Sequence, residues 1–86
     1  MTPEQSRAAR GWLGWSQAEL AKRATVSLRT VQGFEKGEKA PIPNNVAAMR
    51  RAIEAAGVRL VFDKNGAAAG IIRQDADPDL SSEPRD

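Results

Sequence analysis

Arg29, Gln32 and Lys36 recur at intervals of three and four residues, the spacing that gathers side chains on one side of an α-helix. Their chemistry suits a DNA duplex. Arg can give two parallel donors to guanine O6 and N7, Gln can bond the N6/N7 edge of adenine, and Lys meets phosphate as a point charge. Gly33 lies among them. A glycine inside a helix costs about 1 kcal/mol relative to alanine, and it is useful where backbone must approach a groove closely. Leu28, on the first turn of the same segment, either touches a thymine methyl or packs on the preceding helix. Leu28, Arg29, Gln32 and Gly33 are therefore the candidate base contacts. Ser16 and Gln17 open another helix, whose free N–H groups and positive dipole end suit a phosphate. Lys36, Lys39 and Arg10 are phosphate candidates by charge, and Ser27, first a helix cap, is a secondary one.

Composition narrows the alternatives. The chain of 86 residues is one small domain with neither Cys nor His, which removes disulfides, thiolate metal sites and His-based acid–base catalysis. No cofactor and no metal is expected. No catalytic triad, phosphate loop or paired-carboxylate geometry is visible, so an enzyme is not expected. No apolar run has membrane-spanning length and the N-terminal segment lacks a signal-peptide core, so no membrane is expected as partner, and a cytoplasmic location is. The overall charge of +2 conceals an asymmetry: residues 1–73 carry a net +6 and residues 74–86 a net −4. A basic body suits a polyanion, although many basic domains only solvate themselves this way. The acidic tail is a candidate competitor with DNA for the basic face.

The elements that must position these side chains follow from caps and periodicity. Thr2-Pro3-Glu4-Gln5 opens helix 1 as N-cap, N1 proline and N3 glutamine, with Ala8, Ala9, Trp12 and Leu13 on its apolar side. Gly11 and Gly14 loosen or end it. Ser16 and Glu19 form an S-x-x-E capping box for helix 2, about 17–24, and Trp15 staples against Leu20. Helix 3, about 28–36, follows the Ser27 cap and stops at Gly37. Residues 38–43, EKAPIP, form a loop because two prolines cannot continue a helix. Helix 4 starts near Asn44 and runs to Ala56, with a stripe of Val46, Ala47, Met49, Ile53 and Ala56. Alternation then signals a strand at Val58, Leu60 and Phe62, an Asn-Gly turn at 64–66, and a returning strand over 69–73. A lone hairpin is marginal in water, so this one either packs on the helices or pairs with a second chain. Residues 74–86 read as disordered. The organisation expected is a helical DNA-binding unit over 1–57, a β-extension over 58–73 and a tail over 74–86. Val58, Leu60, Phe62, Ile71 and Ile72 are the candidate dimerisation residues.

Leu20, Ala21, Ala24, Val26, Val31 and Phe34 are the inward positions of the helix pair. With Val31 and Phe34 inward and about 100° per residue, Arg29 and Lys36 point away from the core, Gln32 and Gly33 largely so, and Leu28, Thr30 and Glu35 lie on the flanks. Ala21 is small where two steeply crossed helices approach.

Gln17-Ala18-Glu19-Leu20-Ala21, Val26-Ser27, Val31, Phe34-Glu35 and Gly37 resemble the Cro/lambda-repressor-like helix-turn-helix family of phage and bacterial regulators. The resemblance covers about residues 5–56. It implies a mainly α fold, a four- or five-helix lambda-repressor-like DNA-binding domain, here with a C-terminal β-hairpin. It also implies helix 3 in the major groove and a homodimer on a palindromic double-stranded operator. Gln17 matches a phosphate contact, and Leu28, Arg29, Gln32 and Gly33 match residues facing bases. Arg10 and Glu35 match an ion pair, which would take Arg10 from DNA. The family has Gly in the turn where this chain has Thr25. Either the turn is altered or the chain accepts strain of about 1–2 kcal/mol. The expected function is a sequence-specific DNA-binding regulator, most simply a repressor. The alternative is an antitoxin that binds a toxin partner and represses its own operon.

Overall fold

Thr2 opens the first helix by closing a reciprocal cap. The Gln5 amide N–H donates to Thr2 Oγ1 at 3.2 Å, and the Thr2 N–H donates to Gln5 Oε1 at 3.0 Å. The computed structural model describes residues 1–38 and 41–74. These contain α1 (Pro3–Leu13), α2 (Gln17–Ala24), α3 (Leu28–Glu35), α4 (Pro43–Ala55), β1 (Val58–Phe62) and β2 (Ala68–Arg73). The fold is mainly α, four helices followed by a two-stranded antiparallel hairpin. Among the described residues no helix is long and apolar enough to cross a membrane.

The core gathers Ala9 from α1, Leu20, Ala21 and Ala24 from α2, Val31 and Phe34 from α3, Met49 and Ile53 from α4, and Val58 and Leu60 from β1. Ala21 and Ala24 let α2 lie close to its neighbours. Each of the first three helices has a side-chain N-cap. Ser16 Oγ accepts from Glu19 N–H, and Ser27 Oγ accepts from Thr30 N–H, both at 3.0 Å. The expected capping box on α2 is only half present. The Glu19 carboxylate bonds Arg23 Nε at 2.8 Å, one turn along the helix, and does not return to the cap.

The turn between α2 and α3 resolves the question posed by Thr25. It adopts φ 57° and ψ 44°, left-handed geometry on a β-branched residue. The turn keeps its shape and the chain carries the strain. In return, the Val26 N–H closes on Ala21 O at 3.0 Å, and α3 leaves at the angle set by that bond.

Three local expectations need correction. Trp12 and Ala8 do not join the core; Trp12 is 62% exposed, while Gln5 and Ser6 take the buried stripe of α1. Pro43 does not belong to the loop but is the first residue of α4, where a missing N–H costs nothing. The stripe of α4 uses Val46, Ala48, Met49, Ala52 and Ile53, without Ala47 or Ala56.

The hairpin pairs Leu60 with Ile71 and Arg59 with Ile72, with a bulge between Val61 and Phe62. Its turn is not a two-residue Asn-Gly type. Asn65 keeps negative φ and only Gly66 is left-handed, at φ 83°, while Asp63 Oδ1 accepts from Asn65 N–H at 2.8 Å and Ala67 N–H at 3.0 Å. The hairpin packs on the helices of its own chain. Val58 and Leu60 are buried, and Phe62 and Ile71 lie against the same core. Gln5 Nε2 adds donors to Val61 O and Gly70 O, both at 3.1 Å, tying the start of α1 to both strands.

Candidate nucleic-acid interface

Glu35, the last residue of α3, fixes the orientation of the recognition segment. Its side chain is 2% exposed and that of Arg10 is 18% exposed. Arg10 Nη2 donates to Glu35 Oε1 at 2.7 Å, and Arg10 Nε donates to Oε2 at 2.9 Å, a two-bond clasp from α1. Ser6 Oγ, also on α1, donates to Oε2 at 2.6 Å, and Gln17 Nε2 donates to Oε1 at 3.1 Å from the first turn of α2. Arg7 Nη1 donates to the Glu35 carbonyl. One carboxylate thus joins three helices, and its bonds are what permit a buried charge. Burial pushes the Glu35 carboxyl up, but hydrogen bonds from Arg10, Ser6 and Gln17 and the Arg10 charge outweigh it, leaving it below the usual carboxylate range. The Glu35 hydrogen bond in turn holds the Arg10 guanidinium above its ordinary value, against partial burial.

With α3 held from beneath, its outer edge is bare. Arg29, Gln32 and Lys36 are exposed, Gly33 is half-buried, and Leu28 is 42% exposed. Arg29, Gln32, Gly33, Lys36 and Glu38 border one shallow depression. Beside it, Arg7, Arg10, Gln17, Gln32, Glu35 and Lys36 line a second recess of about 310 Å³. The pair of capped helices, the tight turn and the exposed cationic edge together make a helix-turn-helix.

A helix-turn-helix family model matches residues 7–54. The chain belongs to the Cro/lambda-repressor-like helix-turn-helix family. It is a DNA-binding transcription regulator, of a family known for regulation and not for enzymes. No curated protein matches the chain.

The structure of this helix-turn-helix regulator brings some of the expected residues together and separates others. Leu28, Arg29, Gln32 and Gly33 share the outer edge of α3 with Lys36. Ser16 and Ser27 occupy the N-caps of α2 and α3 and are exposed. Gln17 was expected toward a phosphate, yet its side-chain amide is turned to Glu35. Lys39 lies outside the described residues. Of the five dimerisation candidates, Val58 and Leu60 are 1% and 4% exposed and lie in the core of the single chain. Phe62 and Ile71 are half-buried against the same core, and Ile72 stands on the opposite face of the hairpin.

Sequence reasoning missed two residues of this region. Arg7, a cation of α1, lies in the second recess beside Gln17 and Lys36. Its spacing of three from Arg10 put both on one side of α1, which was the available signal. Glu38 follows the Gly37 helix stop, and local propensity does not specify that its side chain folds back to the edge of the depression.

Proposed function

We propose that the regulator is a dimeric, sequence-specific repressor that lays α3 in the major groove of a palindromic operator. The observation that carries this reading is the solvent-facing edge of Arg29, Gln32 and Lys36 on a helix whose C-terminal end is clamped through Glu35. Arg29 and Gln32 read base edges, with Gly33 next to Gln32 and Leu28 beside a thymine methyl. Phosphate contacts come from Lys36, Lys39, Ser16 and Ser27, from Arg7 beside them, and from the backbone N–H groups that open α2 at Gln17. Two copies would present their α3 helices about 34 Å apart, one duplex turn. Val61 and Ile72, half-buried on the outer face of the hairpin, are the hairpin's apolar side chains that offer a second chain a contact.

The antitoxin alternative adds a toxin-binding surface to this same domain. The test is selection of bound duplexes from a random pool, followed by stoichiometry on the winning sequence. The reading expects an inverted repeat and two chains per site. A single unrepeated site bound by one chain would overturn the dimeric part of it, and absence of any enriched sequence would overturn specific recognition.

A further inference from the structure

Glu38 is a carboxylate in a depression shared with Arg29, Gln32, Gly33 and Lys36. Its position is set by the way α3 ends. Gly37 turns left-handed at φ 77°, Gly37 N–H donates to Phe34 O at 3.0 Å, and Glu38 N–H donates to Gly33 O at 3.1 Å. This pair of bonds is a Schellman motif, and it folds residue 38 back over the last helical turn. The Glu38 carboxylate comes to lie above Gly33. A methyl group added there would collide with Glu38 Oε1 and stand 3.4 Å from Cδ. The absent side chain at position 33 is the space the carboxylate occupies. Among the described residues no cation lies close enough to Glu38 to form an ion pair, although Arg29 and Lys36 border the same depression.

Phosphates repel a carboxylate, so such a group at the DNA-facing surface must be drawn by a donor. In the major groove the base-edge donors are the amino groups of cytosine N4 and adenine N6. Adenine presents its N7 acceptor beside the amino group, which a carboxylate disfavours, whereas cytosine N4 has no acceptor on its own base edge there. We infer that Glu38 is a specificity-determining residue that accepts a hydrogen bond from cytosine N4 at one position of the bound site. The inference rests on the reading of α3 as the groove-facing helix. It also gives Gly33 a role: with no side chain, it leaves room for the carboxylate to lie next to the base edges facing Arg29 and Gln32.

The test is duplex selection from a random pool with the full chain and its Glu38→Ala and Glu38→Gln variants, each checked for native helicity by circular dichroism. The wild-type site should contain one column dominated by cytosine that becomes nearly unselective in Glu38→Ala, a loss of roughly tenfold in discrimination. The same column should shift from cytosine toward adenine in Glu38→Gln, because a neutral amide also satisfies N7. The columns due to Arg29 and Gln32 should stay as they were, and both variants should bind random duplex more tightly, one negative charge having been removed. Identical preferences in all three proteins would overturn the role of Glu38 and leave α3 as the reading helix. Loss of every column in a natively helical Glu38→Ala variant would also overturn it. A wild type that enriches no sequence would overturn the α3 reading and this inference with it.

Discussion

Arg10 meets Glu35 through two nitrogens of one guanidinium, at 2.9 and 2.7 Å, and by that contact α1 holds the C-terminal end of α3. The pair borders the recess that Gln32 and Lys36 also line, and Arg10 neutralises the carboxylate there. Removing Glu35 would leave Arg10 largely buried and uncompensated, and Glu35→Ala is expected to cost about 3–5 kcal/mol. That is a large share of the stability of a domain this size. Urea unfolding of the variant measures it; a loss below 1 kcal/mol would show that the clasp is ornamental to the fold.

The same carboxylate predicts a pH response. Its folded-state pKa is lowered, so its contribution is complete above the ordinary carboxylate range and fades as pH falls through that range toward the depressed folded value. The raised guanidinium of Arg10 titrates far above this window and does not alter the sign. Thermal midpoints of the wild type should fall with acidification in this window, and those of Glu35→Gln should fall less steeply. Parallel curves would contradict the assignment.

Gln5 ties α1 to both strands through Val61 O and Gly70 O. Gln5→Leu removes both side-chain hydrogen bonds, at a cost of about 0.5–1.5 kcal/mol each. Hydrogen exchange should accelerate in β1 and β2 more than in α2 and α3. Uniform acceleration through the domain would indicate that the hairpin and the helices unfold as one unit.

Thr25 holds left-handed geometry at φ 57°. Glycine relieves about 1–2 kcal/mol of strain there and returns about 0.5–1 kcal/mol through the greater freedom of the unfolded chain. Thr25→Gly should therefore stabilise modestly and raise the thermal midpoint by a few degrees, with DNA affinity unchanged. A lower midpoint would mean that the threonine side chain contributes more than its backbone strain removes.

Arg29 and Lys36 share one exposed edge and are expected to behave differently. Arg29→Ala should relax preference at one base position, whereas Lys36→Ala should weaken specific and random duplexes alike and reduce the salt slope by about 1. Binding isotherms at several salt concentrations separate the two. Equal losses on specific and random DNA for Arg29→Ala would contradict base reading.

Much of this architecture was legible because its signals are local. Thr2, Ser16 and Ser27 cap the first three helices and Gly37 ends the third, each requiring only neighbours in sequence. What escaped depends on distant partners. Gln5 and Ser6 are buried because Val61, Gly70 and Glu35 receive their hydrogen bonds, so the polar stripe of α1 took the place expected for Trp12. Pro43 looked like a loop residue because Ile42 supplies no side-chain cap. Val58 and Leu60 had the right alternation for a strand, but alternation gives a buried face without saying which chain buries it. In the interface, the edge of Arg29, Gln32 and Lys36 followed from helical spacing alone. Glu38 did not, since its place requires the Schellman turn and the missing side chain at Gly33.

The central claim, that the outer edge of α3 reads the major groove, is tested most directly by methylation interference on the selected duplex. Methyl groups on guanine N7 stand in the major groove. The account predicts that they block binding at a small set of guanines, placed symmetrically in the two half-sites. Binding indifferent to N7 methylation at every guanine of the site would contradict it.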